Sequence, residues 1–176
     1  MNNFDIDIQF KPHSSISEPQ LQEIDALLKL AFMDEVDSGF DWDQPNLHLT
    51  AISVDKVVSH VGMLSRQIQV GSQIVSVGGI SDVATHPDWR RRGIAYILMK
   101  FAGDYLRKAR QHQFAMLFCN ESLIHYYEAC GFHKTDAPLY ITSRGKRLKL
   151  EEIKMIMPID GSIWPEGEID LLGQPW

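Results

Sequence analysis

VATHPDWRRRGIAYILMKF, residues 83–101, is the stretch that decides the fold. A strand-like run stops at His86-Pro87, a turn containing arginine and glycine follows, and an apolar pattern with helical spacing starts at Ile94. The first N–H groups of a helix have no intrahelical acceptors, and the helix dipole adds positive potential at the same end. Gly93 lets an anion approach the backbone there, so the stretch predicts an anion site at a strand–helix junction.

Hydrophobic periodicity on either side of this junction predicts the remaining elements. The predicted strands are residues 4–10, 47–54, 56–70, 73–85, 114–119 and 149–157, and the predicted helices are residues 18–33, 94–111 and 122–129. The three strands between residues 47 and 85 are consecutive and joined by short turns, which is typical of an antiparallel meander. We therefore predict an α+β fold with a mixed, mainly antiparallel central sheet flanked by helices.

Composition limits the class of protein. The chain has 176 residues, of which 44% are apolar, and no linker-like stretch divides it, so we expect a single domain over residues 1–176. A net charge of -6 disfavours a nucleic-acid partner. Cys119 and Cys130 lack the spacing of a zinc site or a disulfide framework, and no metal site is predicted. Without an export-signal pattern or a membrane-spanning apolar run, we expect a cytoplasmic protein and no membrane partner.

The spacing Arg90-x-x-Gly93-x-Ala95 resembles the pyrophosphate-binding signature of the Gcn5-related N-acetyltransferases. An isolated RRRG run would be read as a solvated basic turn, but its position at a strand–helix junction favours the anion site. The resemblance implies acetyl-CoA as cosubstrate, with its diphosphate held by the turn and its acetyl and pantetheine groups held by the backbone at the end of the preceding strand. The implied diphosphate residues are Arg91, Arg92, Gly93, Ile94 and Ala95, and the implied strand-end residues are Val83, Ala84 and Thr85.

A second match to the same family is FCNESLIHYYEACGFHK, residues 118–134. The resemblance implies that Asn120 contacts pantetheine and that Tyr127 is the general acid for the departing thiolate. The alternative for Tyr127 is simple packing on a helix face. The family's reaction is direct attack of an amine on the thioester, with a backbone N–H near Val83 polarising the carbonyl. Cys119 could be proposed as an acyl-carrying nucleophile, but its apolar run favours a packed thiol.

The flanking segments narrow the resemblance to two branches that acetylate or acylate amino sugars. HVGMLSRQIQVG, residues 60–71, and the tail that ends in Trp176 resemble the aminoglycoside 2'-N-acetyltransferases and the nodulation N-acyltransferases. The aminoglycoside branch implies acceptor contacts by Glu35 and Trp176, and a C-terminal extension near the acceptor site over residues 158–176. That branch has a glutamate base where Ser81 stands here, so either Asp82 is the base and Ser81 an acceptor contact, or the acceptor differs from that of the branch.

Charge gives an independent argument about the acceptor. The acidic loop contains Asp34, Glu35, Asp37, Asp41 and Asp43. Such a loop would attract a small-molecule cationic amine, although a solvated surface loop is the plainer interpretation. The alternatives for function are a non-catalytic acyl-CoA-binding or regulatory module, and an acetyltransferase for a polyamine, peptide or protein amine. The family resemblance implies a homodimer, whereas the sequence itself gives no oligomeric state.

Overall fold

The computed structural model describes residues 5–33 and 40–176, which form two compact units. Within the described residues, the N-terminal unit comprises residues 5–33, 45–63 and 81–102, and the C-terminal unit comprises residues 40–44, 64–80 and 103–176. The strands are β1 Asp7–Pro12, β2 Leu47–Ser53, β3 Lys56–Val70, β4 Gln73–Thr85, β5 Phe114–Cys119, β6 His133–Thr135, β7 Leu139–Ser143, β8 Lys146–Leu150, β9 Ile153–Pro158 and β10 Ile169–Asp170. The helices are α1 Glu18–Ala31, α2 Ile94–Ala109 and α3 Ile124–Ala129.

The N-terminal unit is an antiparallel sheet covered by α1. Strand β2 pairs with β1 on one side and with the first half of β3 on the other, and β3 is in turn the neighbour of β4. Helix α1 begins after the N-cap Ser17, with a proline in its first turn, where a missing N–H costs nothing. Ile24 and Leu27 of this helix are buried against Val57 and Ala84 of the strands. Burial of this apolar stripe is what holds α1 on the sheet.

The C-terminal unit is a mixed sheet in the strand order β6-β9-β5-β4-β3-β10-β7-β8. Strand β4 pairs with β5 in parallel over Val77–Gly79, and β10 pairs with β7 in parallel, whereas the β5–β9 and β7–β8 pairs are antiparallel. Helix α2 lies close to β4. A Cβ added at Gly78 of β4 would stand 2.5 Å from a methyl carbon of Leu106 of α2. The large residues of the core include Phe114, Ile68 and Trp176.

The predicted fold class is confirmed, and so is the meander of β2, β3 and β4: β3 and β4 have the predicted bounds, and β2 ends at Ser53, one residue earlier than predicted. The single last strand predicted over residues 149–157 is wrong. The chain breaks at Glu151 and Glu152, after which β9 pairs with β5 and β6 instead of continuing the β7–β8 hairpin. Strands β6, β7 and β10 were not predicted, because each is too short for its periodicity to be recognised.

The start of β1 and the end of α2 also differ from the predicted bounds. The first strand was predicted from Phe4, which lies outside the described residues, and β1 is observed from Asp7. Helix α2 ends at Ala109 rather than near Gln111. Among residues 5–33 and 40–176, no helix combines the length and the apolar character required to cross a bilayer.

Candidate functional site

A strand, a turn and a helix succeed one another at residues 81–95 of the N-terminal unit, as the sequence predicted. Strand β4 ends at Thr85, a 3-10 turn covers Pro87–Trp89, and α2 begins at Ile94. The backbone N–H of His86 donates to the carbonyl of Val58 at 2.9 Å, which ties the start of the turn to β3. Proline at the next position has no N–H to offer the sheet, so the strand stops there.

The turn before α2 is built on two residues with left-handed backbone. Arg91 has φ +60° and Gly93 has φ +77°. A Cβ added at Gly93 would meet no heavy atom within 4 Å, so the backbone faces open space at this point. The side chain of Arg90 turns back to donate to the carbonyl of Thr85 at 3.1 Å. Arg92 donates to the carbonyl of Asp88 at 2.8 Å, and its guanidinium lies 4.9 Å from the centre of the Trp89 ring.

The first turn of α2 presents backbone N–H groups that have no intrahelical acceptor beside this open space. The backbone N–H of Ile97 bonds to the carbonyl of Gly93 at 3.0 Å, which is the first i to i-4 contact of the helix. The N–H groups of Ile94, Ala95 and Tyr96 therefore precede the intrahelical ladder. Together with the nearby exposed arginines, they suit a phosphate or diphosphate chemically.

The end of β4 has an irregular backbone. Asp82 adopts φ +51°, a left-handed conformation that costs a non-glycine residue energy. Burial raises the pKa of the Asp82 carboxyl to about 6, so it changes charge close to neutral pH. Its neighbour Ser81 is 8% exposed, and its hydroxyl has no hydrogen-bond partner among the described residues. An ionisable group with such a pKa is suited to proton transfer.

Side chains of β3 hold the carbonyls at this strand end. The Ser59 hydroxyl lies 2.9 Å from the carbonyl of Ala84 and 2.8 Å from the hydroxyl of Thr85. His60 Nδ1 lies 2.8 Å from the carbonyl of Asp82. Both β3 residues are fully buried, and neither was predicted from the sequence. The available signal was a pair of polar residues in the middle of an apolar strand run.

The C-terminal unit contains the second predicted group. Asn120 is exposed directly after β5. Tyr127 lies on α3, where it is 5% exposed and packs edge-on against Tyr126 and Phe132. Burial, and then the nearby sulfur atoms of Cys119 and Cys130, raise the pKa of the Tyr127 phenol above its usual range. The phenol therefore keeps its proton at physiological pH, and burial makes it a weaker acid than an exposed tyrosine.

Cys119 does not have the environment of a nucleophile. Its side chain is buried, and burial followed by the charge of Glu152 raises the pKa of the thiol. A reactive cysteine requires the thiolate, which these surroundings disfavour. The structure thus agrees with a packed Cys119.

The C-terminal Trp176 is part of the core of the C-terminal unit. Its indole is 4% exposed and lies 5.3 Å from the Phe118 ring, and a Cβ added at Gly79 would stand 2.6 Å from its Nε1. Arg66 fixes the same segment by donating to the carbonyl of Gln174 at 2.6 Å and by lying 5.5 Å from the Trp176 ring centre. Neither Arg66 nor Gly79 was predicted from the sequence, because both act through contacts distant in the chain.

Asp43 is held by the same tail. It forms an ion pair with Arg66, and its backbone N–H donates to the carbonyl of Pro175 at 2.7 Å. Asp43 is therefore already neutralised within the C-terminal unit. Glu35, the predicted acceptor contact, lies outside the described residues.

The structure divides the predicted site residues between the two units. Ser81–Thr85 and Arg91–Ala95 belong to the N-terminal unit, whereas Asn120, Tyr127 and Trp176 belong to the C-terminal unit. Within the part of the chain that the structure describes, no group of three or more histidine, cysteine or acidic side chains could hold a metal ion.

Known proteins resemble this chain in both sequence and fold. The family model described as an acetyltransferase (GNAT) domain matches residues 13–135. The curated Nodulation protein A of Mesorhizobium japonicum (strain LMG 29417 / CECT 9101 / MAFF 303099) is 23% identical over 150 residues, which cover 77% of this chain and 76% of that protein. The matched family segment includes the strand end, the turn, α2, Asn120 and Tyr127.

Solved structures share the fold at low sequence identity. The GNAT family N-acetyltransferase YhbS of Escherichia coli, solved in complex with CoA, is 18% identical with a TM-score of 0.63, and the match covers 96% of this chain and 90% of that one. Eis1 of Mycobacterium abscessus is 16% identical with a TM-score of 0.60 over 77% of this chain. This chain spans only 33% of the length of Eis1.

Proposed function

This chain belongs to the GNAT acetyltransferase family of acyl-CoA-dependent N-acetyltransferases, and we propose that it transfers an acetyl group from acetyl-CoA to a primary amine of a small cationic acceptor, such as an aminoglycoside or another amino sugar. One observation carries the proposal. The left-handed turn at Gly93 opens into free space immediately before the unpaired amides of α2. That arrangement binds a diphosphate without needing any side chain at the glycine.

The residues of the N-terminal unit supply the proposed contacts to the cosubstrate. The diphosphate is assigned to the amides and side chains of Arg91, Arg92, Gly93, Ile94 and Ala95. The acetyl and pantetheine groups are assigned to the backbone of Val83, Ala84 and Thr85. Support comes from the positioned carbonyls of this strand end, which leave little freedom to the amides between them. Asn120 is the proposed pantetheine contact in the C-terminal unit, where its exposure leaves the amide available.

The proposed reaction is a direct attack. The amine nitrogen forms a bond to the thioester carbonyl carbon, and the oxygen gains negative charge that the N–H of Val83 stabilises. The C–S bond then breaks, and the thiolate takes the proton of the Tyr127 phenol. The proton lost by the amine passes to the Asp82 carboxylate, directly or through water. Asp82 releases it to solvent and Tyr127 regains one from solvent, so the products are the amide and CoA.

The acceptor class rests on the net charge and on the resemblance of residues 60–71 and of the tail to two branches with amino-sugar acceptors. A net charge of -6 favours a cationic acceptor. Because Asp43 is paired with Arg66, we assign the attraction of the acceptor to Glu35 and Asp41 instead. Ser81 is proposed as a further contact. The indole of Trp176 is buried, so its proposed contact to the acceptor is through the backbone of the 158–176 extension.

The test is release of free CoA thiol from acetyl-CoA in the presence of a panel of amines, including aminoglycosides with and without a 2'-amine, polyamines and peptides. Turnover only with drugs that carry the 2'-amine would support the proposed acceptor. Turnover with a polyamine or a peptide alone would support acetyl transfer and reject an amino sugar as the acceptor. Binding of acetyl-CoA without turnover for any amine would instead indicate an acyl-CoA-binding module.

A further inference from the structure

Three histidines form a continuous hydrogen-bonded row in the N-terminal unit. His13 Nδ1 lies 3.1 Å from His48 Nε2, and His48 Nδ1 lies 2.9 Å from His60 Nε2. His60 Nδ1 ends the row, 2.8 Å from the carbonyl oxygen of Asp82. The row runs from the exposed His13 to a fully buried His60. None of these imidazoles has a role in the reaction proposed above.

The acceptor at the inner end fixes the proton on every ring. A carbonyl oxygen only accepts, so Nδ1 of His60 must carry a proton and donate it to Asp82. Burial lowers the pKa of His60 to about 4, so its Nε2 is an unprotonated acceptor. His48 must then donate through Nδ1. Burial, and secondarily His13, lower the pKa of His48, whereas a hydrogen bond to the Pro45 backbone raises it. A neutral His48 has a single N–H, which donates through Nδ1, so its Nε2 accepts from Nδ1 of His13. One tautomer is thus selected along the whole row.

The row ends at Asp82, a residue of β4 with left-handed backbone. Asp82 has φ +51°, which turns its carbonyl toward His60. In the trans peptide that joins Asp82 to Val83, the N–H points opposite to the C=O. Fixing the carbonyl of Asp82 therefore fixes the direction of the Val83 N–H, away from His60. The Ser59 hydroxyl fixes the carbonyl of Ala84 in the same manner.

We propose that His60 is a positioning residue that aims the Val83 amide at the thioester carbonyl, with His48 and His13 holding it in the required tautomer. This inference rests on the proposed function, in which the Val83 amide stabilises the developing negative charge. Apolar side chains would fill the same buried space without the desolvation of polar imidazoles. The uniform direction of the hydrogen bonds in the row is better explained by a need for a rigid donor at its inner end.

Two substitutions at position 60 separate positioning from packing. In asparagine, the amide nitrogen is bonded to Cγ as Nδ1 is in histidine, so His60→Asn keeps a donor for Asp82. In glutamine the amide lies one carbon farther out, so His60→Gln reaches toward His48 and loses that donor. We expect kcat of His60→Gln to fall about 10- to 100-fold, since misplacement of an oxyanion donor has effects of that order. KM for acetyl-CoA should stay within about twofold, because the diphosphate contacts are unchanged.

His60→Asn should recover kcat to within about threefold of the wild type. The matched control is His112→Asn, which removes the 2.8 Å contact between His112 Nε2 and the Ser65 hydroxyl at another buried histidine. That variant should leave kcat unchanged. If His60→Gln does not fold, His48→Leu removes the donor to His60 Nε2 and should lower kcat in the same direction. Equal kcat values for His60→Asn and His60→Gln, or an unchanged kcat in His60→Gln, would overturn the proposal.

A second readout separates this inference from the proposed function. The infrared carbonyl stretch of bound acetyl-CoA, labelled with carbon-13 at the thioester carbonyl, reports polarisation by the Val83 amide without any acceptor. We expect a lowered frequency in the wild type and in His60→Asn, and a frequency near that of free acetyl-CoA in His60→Gln. If no amine is turned over but the three frequencies differ as expected, the proposed acetyl transfer is rejected and the positioning role of His60 is supported. Equal frequencies overturn the positioning role, and a failure to bind acetyl-CoA overturns both.

Discussion

Two turns in this protein each contain an arginine and a glycine with left-handed backbone, two residues apart in one turn and adjacent in the other, and they lead into different elements. In the turn before α2, Arg91 and Gly93 have φ values of +60° and +77°, and in the turn between β7 and β8, Arg144 and Gly145 have φ values of +49° and +74°. At both glycines a Cβ would meet no heavy atom within 4 Å. The first turn leads into a helix of 16 residues, whereas the second joins two strands of five residues each.

An arginine–glycine turn is therefore not an anion site by itself. Strand residues after Gly145 pair their backbone groups across the β7–β8 hairpin. The first residues of α2 have no such partners inside the helix, and their dipoles are aligned. The same pair of residue types therefore supports a hairpin in one place and a proposed diphosphate site in the other.

The largest expected effect comes from substituting the glycines of the two turns. Gly93→Glu should lower the affinity for acetyl-CoA more than about 100-fold, because a carboxylate is placed beside the diphosphate in open space. Gly145→Glu is the matched control, with the same left-handed strain and the same open surroundings. Isothermal titration with acetyl-CoA measures both, and unfolding curves check that the two variants lose similar stability. Similar affinities in the two variants would remove the turn before α2 from the cosubstrate site.

Asp82 is a further residue with left-handed backbone, and unlike the glycines it has a side chain that can ionise. Since its pKa is raised to about 6, the carboxylate forms as pH rises through that value, and a base works only when ionised. We expect kcat/KM to increase with pH through this range in the wild type. Asp82→Asn should lose that increase and be about 100-fold slower at pH 8.

Asparagine tolerates left-handed backbone, so the fold at position 82 should be kept. Measuring both proteins with one acceptor removes the titration of the amine from the difference. A parallel pH profile in Asp82→Asn would exclude Asp82 as the base.

A smaller effect is expected from the arginines. Arg92→Gln should weaken acetyl-CoA binding about 5- to 10-fold, which corresponds to roughly 1 kcal/mol for an exposed charge, and the loss should shrink in high salt. Arg144→Gln should leave the affinity unchanged. Titrations at low and high salt measure the effect, and an equal loss at both positions would mean that net charge alone attracts the cosubstrate.

The smallest effect tests what the two turns have in common. Arg91→Gly and Arg144→Gly each relieve a left-handed conformation at a non-glycine residue. We expect each to raise the free energy of unfolding by about 0.5–1 kcal/mol, because relief of strain slightly exceeds the added entropy of the unfolded chain. Urea denaturation measures both. A stability gain at one position and a loss at the other would show that the turns are not equivalent in their backbone.

The sequence predicted the parts of the fold that depend on neighbours in the chain. The meander and the junction at Ile94 are marked by periodicity, by Pro87 and by Gly93, all of which act locally. The two-residue strand β10 depends on pairing with β3 and β7, which no local pattern encodes.

The candidate site was predictable to the same extent. The residues proposed to bind the cosubstrate form a local motif, and Tyr127 belongs to another. The link from His60 to Asp82 joins two strands through a single backbone carbonyl, and the burial of Trp176 depends on Gly79. Such contacts are set by the register of strands that are far apart in the sequence. No local sequence pattern encodes these contacts.

The close packing at Gly78 and Gly79 has a consequence for mutational scanning. Neither glycine has a left-handed backbone, yet an added methyl group would collide with Leu106 at one position and with the Trp176 indole at the other. A saturation library scored by activity would therefore report both positions as intolerant, alongside any true contact to substrate. Paired libraries in which residue 106 or 176 is made smaller would restore tolerance at these glycines, and would do nothing for Gly93.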